Sequence, residues 1–200
     1  MDEMKERLLR IAKERFDRFG FKKTSMDEIA MDARVSKRTI YENFKSKEDL
    51  FSALFMKEAL AARRYVLQEL AKHTDPLEKI RQYLLVSMEY FERHPFMVKI
   101  LQDDKGLYAP FLKPEYHVQV EEGMLAILAG MVKEAVKQNK CRNLNPRLTA
   151  YIIFKLFQSF TYARTAANIG SGGTKNDEMR ELADFITQAI ISQGRTKSYG

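Results

Sequence analysis

The stretch TSMDEIAMDARVSKRTIYENFKSKEDL, residues 24–50, decides the fold because it holds three helix starts in close succession. Ser25 followed by Glu28 is a capping box, in which the serine accepts from a first-turn N–H and the glutamate reaches back. Ser36 suits the cap of a second short helix, and Ser46 precedes a longer one. The pattern predicts two short helices joined by a tight turn and followed by a third helix.

Helix-forming patterns continue along the rest of the chain, which holds only 9 glycines and 5 prolines in 200 residues. At the N-terminal end, apolar side chains recur every three or four positions up to Gly20, a residue suited to ending a helix. Later helices start where Pro76 follows an aspartate and where Pro146 follows an asparagine. A sandwich or barrel would need a turn signal every ~8–12 residues. We therefore predict an all-α chain with about nine helices.

Composition narrows the class of protein further. Lysine and arginine (34) exceed aspartate and glutamate (27), and a net charge of +7 is compatible with a nucleic-acid or anionic-lipid partner. The single cysteine, Cys141, excludes an internal disulfide framework. Residues 1–10 lack the apolar segment of a secretory signal, and the charge-free stretch Gly123–Val132 is shorter than the ~18 residues of a membrane span. We expect a cytoplasmic protein with no membrane partner.

Residues 24–50 have the arrangement of a helix-turn-helix DNA-binding motif, whose second helix lies in the major groove. A compact apolar interior for the two short helices is supplied by Ile29, Ala30, Val35, Ile40 and Phe44. The outward positions of the second helix and the residues after it are Lys37, Arg38, Thr39, Tyr41, Asn43, Lys45 and Lys47. Five basic residues and one acidic residue lie between positions 34 and 47, so positive charge is concentrated where this helix would face DNA.

The same stretch resembles the TetR-type transcriptional regulators. The similarity runs in order through TSMDEIA (24–30), VSKRTIY (35–41) and FKSKEDL (44–50), with an amphipathic helix before it. The resemblance implies an N-terminal three-helix helix-turn-helix head in residues 1–46 and a C-terminal helical bundle for ligand binding and dimerisation in residues 47–200. Beyond the head, only the helical layout agrees with the family.

Two residues depart from the family's pattern. Arg34 stands where the family usually has glycine, at a turn position with positive φ, a conformation that costs an L-residue ~1–2 kcal/mol. Asn43 replaces the usual aromatic residue or histidine before Phe44, and we expect this to alter a phosphate or packing contact typical of the family. Neither departure changes the expected fold.

The resemblance implies roles for the residues of the second helix. Lys37, Arg38 and Thr39 lie at its start and would meet base edges or nearby phosphates. Arg38 is the best candidate for reading guanine, because a guanidinium can donate two hydrogen bonds to that base. Tyr41 and Asn43 would contact the sugar-phosphate backbone.

Phosphate contacts are also expected at helix N-termini, where free N–H groups and the helix dipole favour an anion. The resemblance places Ser25 and Lys47 at such positions, and Arg34 adds a guanidinium beside the turn. A lone lysine or arginine on a helix is ordinarily a solvated surface residue, and here the surrounding motif favours DNA contact. The predicted DNA-binding residues are Ser25, Arg34, Ser36, Lys37, Arg38, Thr39, Tyr41, Asn43, Lys45 and Lys47.

The family further implies a small-molecule cavity in the bundle, with ligand binding moving the long helix that begins near Lys47. Aromatic and methionine residues spaced along one helix face ordinarily pack in the hydrophobic core, although helical bundles can also hold ligand cavities between their helices. The predicted lining residues are Tyr83, Phe91, Met97, Met124 and Phe157. No dense polar cluster accompanies them, so the expected effector is apolar or aromatic.

Self-association is expected through the last two predicted helices, whose broad apolar stripes suit either an internal core or a second copy. Two-fold pairing doubles the sequence read by one short helix and matches a palindromic site. The family implies a homodimer, for which the predicted interface residues are Phe154, Phe157, Thr161, Phe185, Ile186, Ala189 and Ile190.

These observations predict a sequence-specific transcriptional regulator with no enzymatic activity and no cofactor. A repressor released from a palindromic operator on double-stranded DNA by its effector is favoured over an activator, and the sequence leaves the sign of regulation open. A helical-bundle enzyme is the first alternative, but the sequence lacks a Glu-x-x-His pair, a phosphate loop and a dinucleotide-binding glycine pattern. A protein that coats DNA without sequence preference is the second. His117 and Glu121 have a metal-compatible spacing but are interpreted as a surface pair.

Overall fold

The computed structural model describes residues 3–94, 96, 114–167 and 175–191, and these ranges contain helices and no strand, as predicted. About nine helices were expected, and eight lie within the described ranges. They are α1 (Glu3–Phe19), α2 (Met26–Asp32), α3 (Lys37–Asn43), α4 (Lys47–Leu70), α5 (Pro76–Arg93), α6 (Pro114–Lys137), α7 (Pro146–Ala167) and α8 (Lys175–Ile190). None of these described helices is both long enough and apolar enough to cross a bilayer.

Packing divides the chain into two compact units. The first comprises Met1–Ala61 with Phe91–Val120, and the second comprises Ala62–Tyr90 with Glu121–Gly200. Helices α4, α5 and α6 each contribute residues to both units. The first unit contains the whole helix-turn-helix segment, while the expected domain boundary between residues 46 and 47 stays a prediction.

Three phenylalanines form the centre of the first unit. Phe16 on α1, Phe21 in the following loop and Phe51 on α4 are each no more than 3% exposed. Their ring centroids lie 5.5 Å (Phe16–Phe21), 5.4 Å (Phe16–Phe51) and 5.0 Å (Phe21–Phe51) apart. Buried aromatic groups at these separations contribute both a large apolar area and favourable ring geometry. The cluster therefore holds α1 and α4 together around the loop that leads into α2.

Arg15 connects α1 to α2. One terminal nitrogen of its guanidinium lies 2.9 Å from Oε1 of Glu28, and the other lies 2.5 Å from Oδ2 of Asp32. Its side chain is only 13% exposed, so both ion pairs are partly shielded from water. Of the predicted interior residues of the two short helices, Ile29, Ala30, Ile40 and Phe44 are buried, whereas Val35 is only half-buried because it lies in the turn between them.

The second unit is a helical core, and ion pairs at its surface connect its helices. Its fully buried side chains include Leu84, Leu128, Val132, Ala150 and Ala183. Arg81 on α5 lies 2.6 Å from Asp184 on α8, and Arg147 on α7 lies 2.6 Å from Glu122 on α6. Cys141 is buried in a single antiparallel bridge with Ile191.

Candidate DNA-binding surface

Helix α2 begins with the capping box that the sequence predicted. The backbone N–H of Glu28 donates to Oγ of Ser25 over 3.3 Å, while the backbone N–H and hydroxyl of Ser25 each donate to the Glu28 carboxylate over 2.8 Å. These hydrogen bonds stabilise the ionised carboxylate and lower the pKa of Glu28. The predicted phosphate ligand Ser25 is exposed, but its hydroxyl proton is already donated within the protein.

The turn after α2 places Arg34 in the left-handed region, with φ of +52°. The backbone N–H of Val35 donates to the carbonyl of Ala30 over 3.0 Å, and that of Arg34 donates to the carbonyl of Met31 over 2.9 Å. This pair of hydrogen bonds is the Schellman motif, which requires a left-handed residue just beyond the helix cap. The expected positive φ at this position is confirmed, and the arginine side chain points to an exposed environment.

Helix α3 is capped by Ser36, whose Oγ accepts from the backbone N–H of Thr39 over 3.0 Å. Ile40 is fully buried beneath the helix. At its last turn, Nδ2 of Asn43 donates to the carbonyl of Thr39 over 2.8 Å, which fixes this half-buried amide against its own helix. Tyr41, by contrast, is 49% exposed. The helix therefore keeps one face inside the unit and presents the other outward.

The two cations at the start of α3 carry weak, exposed ion pairs. Nζ of Lys37 lies 2.5 Å from Oδ2 of Asp27, and this hydrogen bond raises the pKa of Lys37. Nε of Arg38 lies 2.7 Å from Oε1 of Glu42, with 87% of the arginine side chain exposed. Exposed pairs of this kind contribute little to stability, so an anionic ligand can replace the carboxylate at little cost.

Lys47 is held more firmly than the sequence indicated. Its Nζ donates to the carbonyl of Phe21 over 2.9 Å and to that of Thr24 over 2.7 Å, and it lies 4.4 Å from the centroid of the Phe21 ring. The first turn of α4 is thereby tied to the loop between α1 and α2. Lys45 is exposed, and among the described residues its ammonium forms no ion pair.

These links bring most of the predicted residues to one region. The Lys37–Asp27 pair joins the start of α3 to the start of α2, and the Lys47–Thr24 hydrogen bond brings the start of α4 to the same place. The exposed predicted residues are Ser25, Arg34, Ser36, Lys37, Arg38, Tyr41 and Lys45, and the half-buried ones are Thr39, Asn43 and Lys47. Three helix starts thus share a predominantly basic surface, which suits a polyanion.

The predicted effector-lining residues fall in both units. Tyr83 and Phe157 are buried and Met124 is half-buried in the second unit, while Phe91 is buried in the first. Burial in an apolar environment raises the pKa of the Tyr83 phenol. Met97 lies outside the described residues.

The predicted dimer residues separate into two groups. Phe154, Phe157, Ile186 and Ile190 are no more than 8% exposed within one protomer, so these side chains are already covered by the chain's own core. Thr161 is half-buried, Ala189 is exposed, and Phe185 is 66% exposed.

A second apolar stripe on α7, which the sequence interpretation missed, faces outward. Leu148 (57%), Tyr151 (46%), Ile152 (50%) and Leu156 (42%) are all exposed. Leu148, Ile152 and Leu156 recur every four residues, so the spacing of a helix face was visible in the sequence. Of the metal-compatible pair, Glu121 is half-buried and its Oε1 lies 3.1 Å from Nζ of Lys155, while the side chain of His117 lies outside the described part of the chain.

Comparison with known proteins agrees with this geometry. Residues 8–54 match the family model of bacterial regulatory proteins of the tetR family. The chain is 29% identical over 154 residues to the HTH-type transcriptional regulator YhgD of Bacillus subtilis, covering 76% of this chain and 80% of that protein. It is 25% identical over 192 residues to the HTH-type transcriptional regulator RutR of Escherichia coli, covering 94% of this chain and 88% of RutR.

The fold is shared with solved structures as well. The fatty acid degradation regulator FadR of Bacillus halodurans superimposes with a TM-score of 0.74 at 17% identity, covering 98% of each chain. A helix-turn-helix segment with an exposed basic second helix, on an all-α chain, defines a DNA-binding transcriptional regulator. Residues 8–54 therefore have the DNA-binding segment of the tetR family, and the whole chain is similar to transcriptional regulators.

Proposed function

We propose that this regulator is a homodimeric repressor that binds a palindromic operator through α3 and leaves it when a small apolar or aromatic effector binds. The observation that carries the proposal is the exposure of Lys37, Arg38 and Tyr41 on a capped helix whose opposite face is anchored by the buried Ile40. A rigid helix with an outward guanidinium has the geometry for major-groove reading. In this proposal Arg38 exchanges Glu42 for a guanine edge, and Lys37 exchanges Asp27 for a phosphate.

The dimer of this proposal pairs α7 and α8 with their copies. Its support is the exposed apolar stripe of α7, formed by Leu148, Tyr151, Ile152 and Leu156, together with Phe185 on α8. Contiguous apolar side chains at this exposure favour burial against a partner. A two-fold axis would present two α3 helices to two half-sites, which is why a palindrome is expected.

The effector site of the proposal is the second-unit group Tyr83, Met124 and Phe157, while Phe91 and Met97 stay predictions from the sequence. The support is chemical: the described members are aromatic or thioether side chains, and all are buried or half-buried. Release from DNA requires that the effector bind the non-docking arrangement of the protein more tightly than the docking one, since equal affinity shifts nothing. We expect such a protein to act in the cytoplasm, where DNA and effector are both present.

Selection of bound duplexes from a random pool tests the proposal, because it reports sequence preference, symmetry and half-site spacing together. We expect an inverted repeat that is bound ~10³-fold or more tightly than scrambled duplexes at the same salt concentration. Recovery of duplexes without a common sequence would instead support a protein that coats DNA without preference.

Two substitutions separate base reading from phosphate contact on the selected duplex. Arg38→Ala should lower affinity for the preferred sequence by ~1–3 kcal/mol and relax preference at one position of each half-site. The matched control Lys45→Ala removes an exposed cation that makes no described ion pair, and should weaken all duplexes about equally. Equal losses across all sequences for both variants would contradict the role assigned to Arg38.

A further inference from the structure

An open cleft of about 620 Å³ lies between α1 and the C-terminal end of α2. Its lining contains two acidic residues, Glu14 and Asp32. It also contains five arginines: Arg7, Arg10, Arg15, Arg18 and Arg34. Four of these arginines are on α1, and only Arg34 belongs to the predicted DNA-binding set. We call this feature the arginine cleft.

Ion pairs neutralise only part of this positive charge. Arg10 lies 3.1 Å from Glu14, and Arg15 is held by Asp32 at 2.5 Å and by a second carboxylate on α2. The other three arginines of the cleft have no acidic partner within the described ranges; they are Arg7, Arg18 and Arg34. Each is exposed. The arginine cleft therefore carries three uncompensated guanidinium groups that face solvent.

An exposed aromatic ring restricts the side chain of Arg18, one of these three arginines. Phe19 is 43% exposed, and its ring centroid lies 5.0 Å from Cζ of Arg18 and 5.1 Å from Cζ of Arg15. Guanidinium groups at these distances are attracted to the face of a ring, which limits the rotamers that Arg18 samples. Met31, 68% exposed, adds apolar surface beside them. Ordered guanidinium groups next to apolar side chains suit the alternating phosphate and deoxyribose of a nucleic-acid backbone.

The cleft is continuous with the segment that precedes α3. Arg34 lines the cleft and also forms the left-handed turn, two residues before the cap Ser36. On α1, Arg7, Arg10, Glu14 and Arg18 recur every three or four residues and so share one face. Eleven residues of helix separate Arg7 from Arg18, about 16 Å at 1.5 Å per residue. That length corresponds to roughly five phosphates of one DNA strand, at 3.4 Å per step along the axis.

We propose that the arginine cleft binds the phosphodiester backbone of the same duplex that α3 reads, so that α1 adds phosphate contacts without adding base contacts. The occupant is DNA because the uncompensated charge is positive, extends along a helix and includes the turn of the helix-turn-helix motif. The inference rests on the proposed operator binding. Arg7 and Arg18 are the residues that extend the predicted contact surface.

The test is the double variant Arg7→Gln/Arg18→Gln, studied as the full chain on a duplex chosen by selection and on a scrambled duplex. Both positions are exposed on a helix, and glutamine is a good helix former, so the fold should be retained. Affinity is measured between about 50 and 200 mM salt. The slope of log K against log salt concentration is negative, and on both duplexes its magnitude should decrease by about 1.8 for each DNA-binding head. This decrease is about 0.9 for each of the two lost phosphate contacts. The ratio of affinities for the two duplexes should stay unchanged.

Two further variants keep the result interpretable. Lys133→Gln/Lys137→Gln removes the same charge from exposed positions of the second unit and should leave the slope unchanged. Arg7→Lys/Arg18→Lys retains the charge and should restore the slope. The inference is overturned if the arginine variant matches the Lys133/Lys137 control, which would also be the outcome if the cleft served a protein partner. Loss of sequence preference in the unmodified chain would instead overturn the proposed operator binding.

Discussion

Two residues other than glycine adopt positive φ in the described chain, and both end helices by the same device. Arg34 follows α2 with φ of +52°, and Asn139 follows α6 with φ of +56°. After α6, the N–H of Lys140 donates to the carbonyl of Ala135 over 2.9 Å, which repeats the long hydrogen bond of the Schellman motif. Asparagine tolerates the left-handed region through its short polar side chain, whereas arginine gains no such compensation.

Replacing Arg34 with glycine should therefore stabilise the protein. Removing the strain of the left-handed arginine should raise the free energy of unfolding by ~1–2 kcal/mol. The greater conformational freedom of glycine in the unfolded chain should lower it by ~0.4–1 kcal/mol. We expect a net gain of about 0.5–1 kcal/mol in the free energy of unfolding, measured by urea denaturation. Asn139→Gly is the matched control and should change stability less. An Arg34→Gly variant that gained no more stability than the control would show that the turn carries no strain.

At the scale of elements, short helices depend on their ends because they make few hydrogen bonds of their own. Helices α2 and α3 have 7 residues each, and both are capped by serine. Isolated helices of this length are unstable in water, so caps and tertiary contacts must hold them. The start of α4 is secured by Lys47, whose two hydrogen bonds reach the loop before α2.

Lys47→Met tests this attachment. Methionine keeps much of the side-chain length and helix propensity but leaves the carbonyl of Thr24 without this donor, and that of Phe21 with the backbone N–H of Thr24 at 3.3 Å. Leaving the partly buried Thr24 carbonyl unpaired should cost ~1–3 kcal/mol in the free energy of unfolding. Lys45→Met, at an exposed position, should change stability by no more than ~0.5 kcal/mol. If both variants unfolded at the same urea concentration, the hydrogen bonds of Lys47 would contribute nothing to stability.

The ionisation of Asp75 makes the stability of the second unit depend on pH. Its Oδ1 caps α5 by accepting from the backbone N–H groups of Leu77 (2.8 Å) and Glu78 (3.1 Å), and its other oxygen pairs with Lys140. The Lys140 ammonium is the main cause that lowers the pKa of Asp75 below its ordinary value of 3.8. A carboxyl with a lowered pKa stabilises the folded state above its ordinary pKa, and this contribution disappears as the pH falls through the folded-state value.

Asp75→Asn should isolate the charge, because asparagine is also a good helix cap. We expect the variant to be less stable than the unmodified protein at pH 7 by at most ~1 kcal/mol, since the pair is partly exposed. The difference should shrink as the pH falls below 3.8. Thermal unfolding at a series of pH values measures it, and a difference that stayed constant with pH would assign the effect to the cap alone.

For the whole molecule, function depends on how many copies act together, since one short recognition helix reads few bases. The exposed stripe of α7 places Ile152 between Leu148 and Leu156, four residues from each. An interface centred on these side chains is expected to lose affinity sharply when its centre becomes charged, because the charge would be buried without a partner.

Ile152→Asp should convert the proposed dimer to monomers, detected by sedimentation equilibrium, while leaving helical content unchanged because the residue is exposed in one protomer. Affinity for a palindrome should then fall to that for a single half-site. Leu60→Asp, at an exposed leucine of α4, is the matched control and should leave the mass unchanged. A dimer that persisted in Ile152→Asp would move the interface away from this stripe.

Local sequence determined where the helices of the DNA-binding segment begin. The cap residues Ser25 and Ser36 accept hydrogen bonds from N–H groups only three residues away. Because both partners are close in sequence, these caps could be predicted from the sequence. The outward cations of α3 followed from the same helix period, because a buried Ile40 fixes which side chains face away.

Tertiary structure alone decided which apolar stripe of α7 lies inside the protomer and which lies outside. That helix carries apolar residues around most of its circumference, so periodicity does not choose between Phe154 with Phe157, which are buried, and Ile152 with Leu156, which are exposed. The hydrogen bonds of Lys47 to carbonyls more than twenty positions earlier in the chain were likewise beyond any local pattern. Both outcomes depend on contacts between residues that come together only when the helices pack.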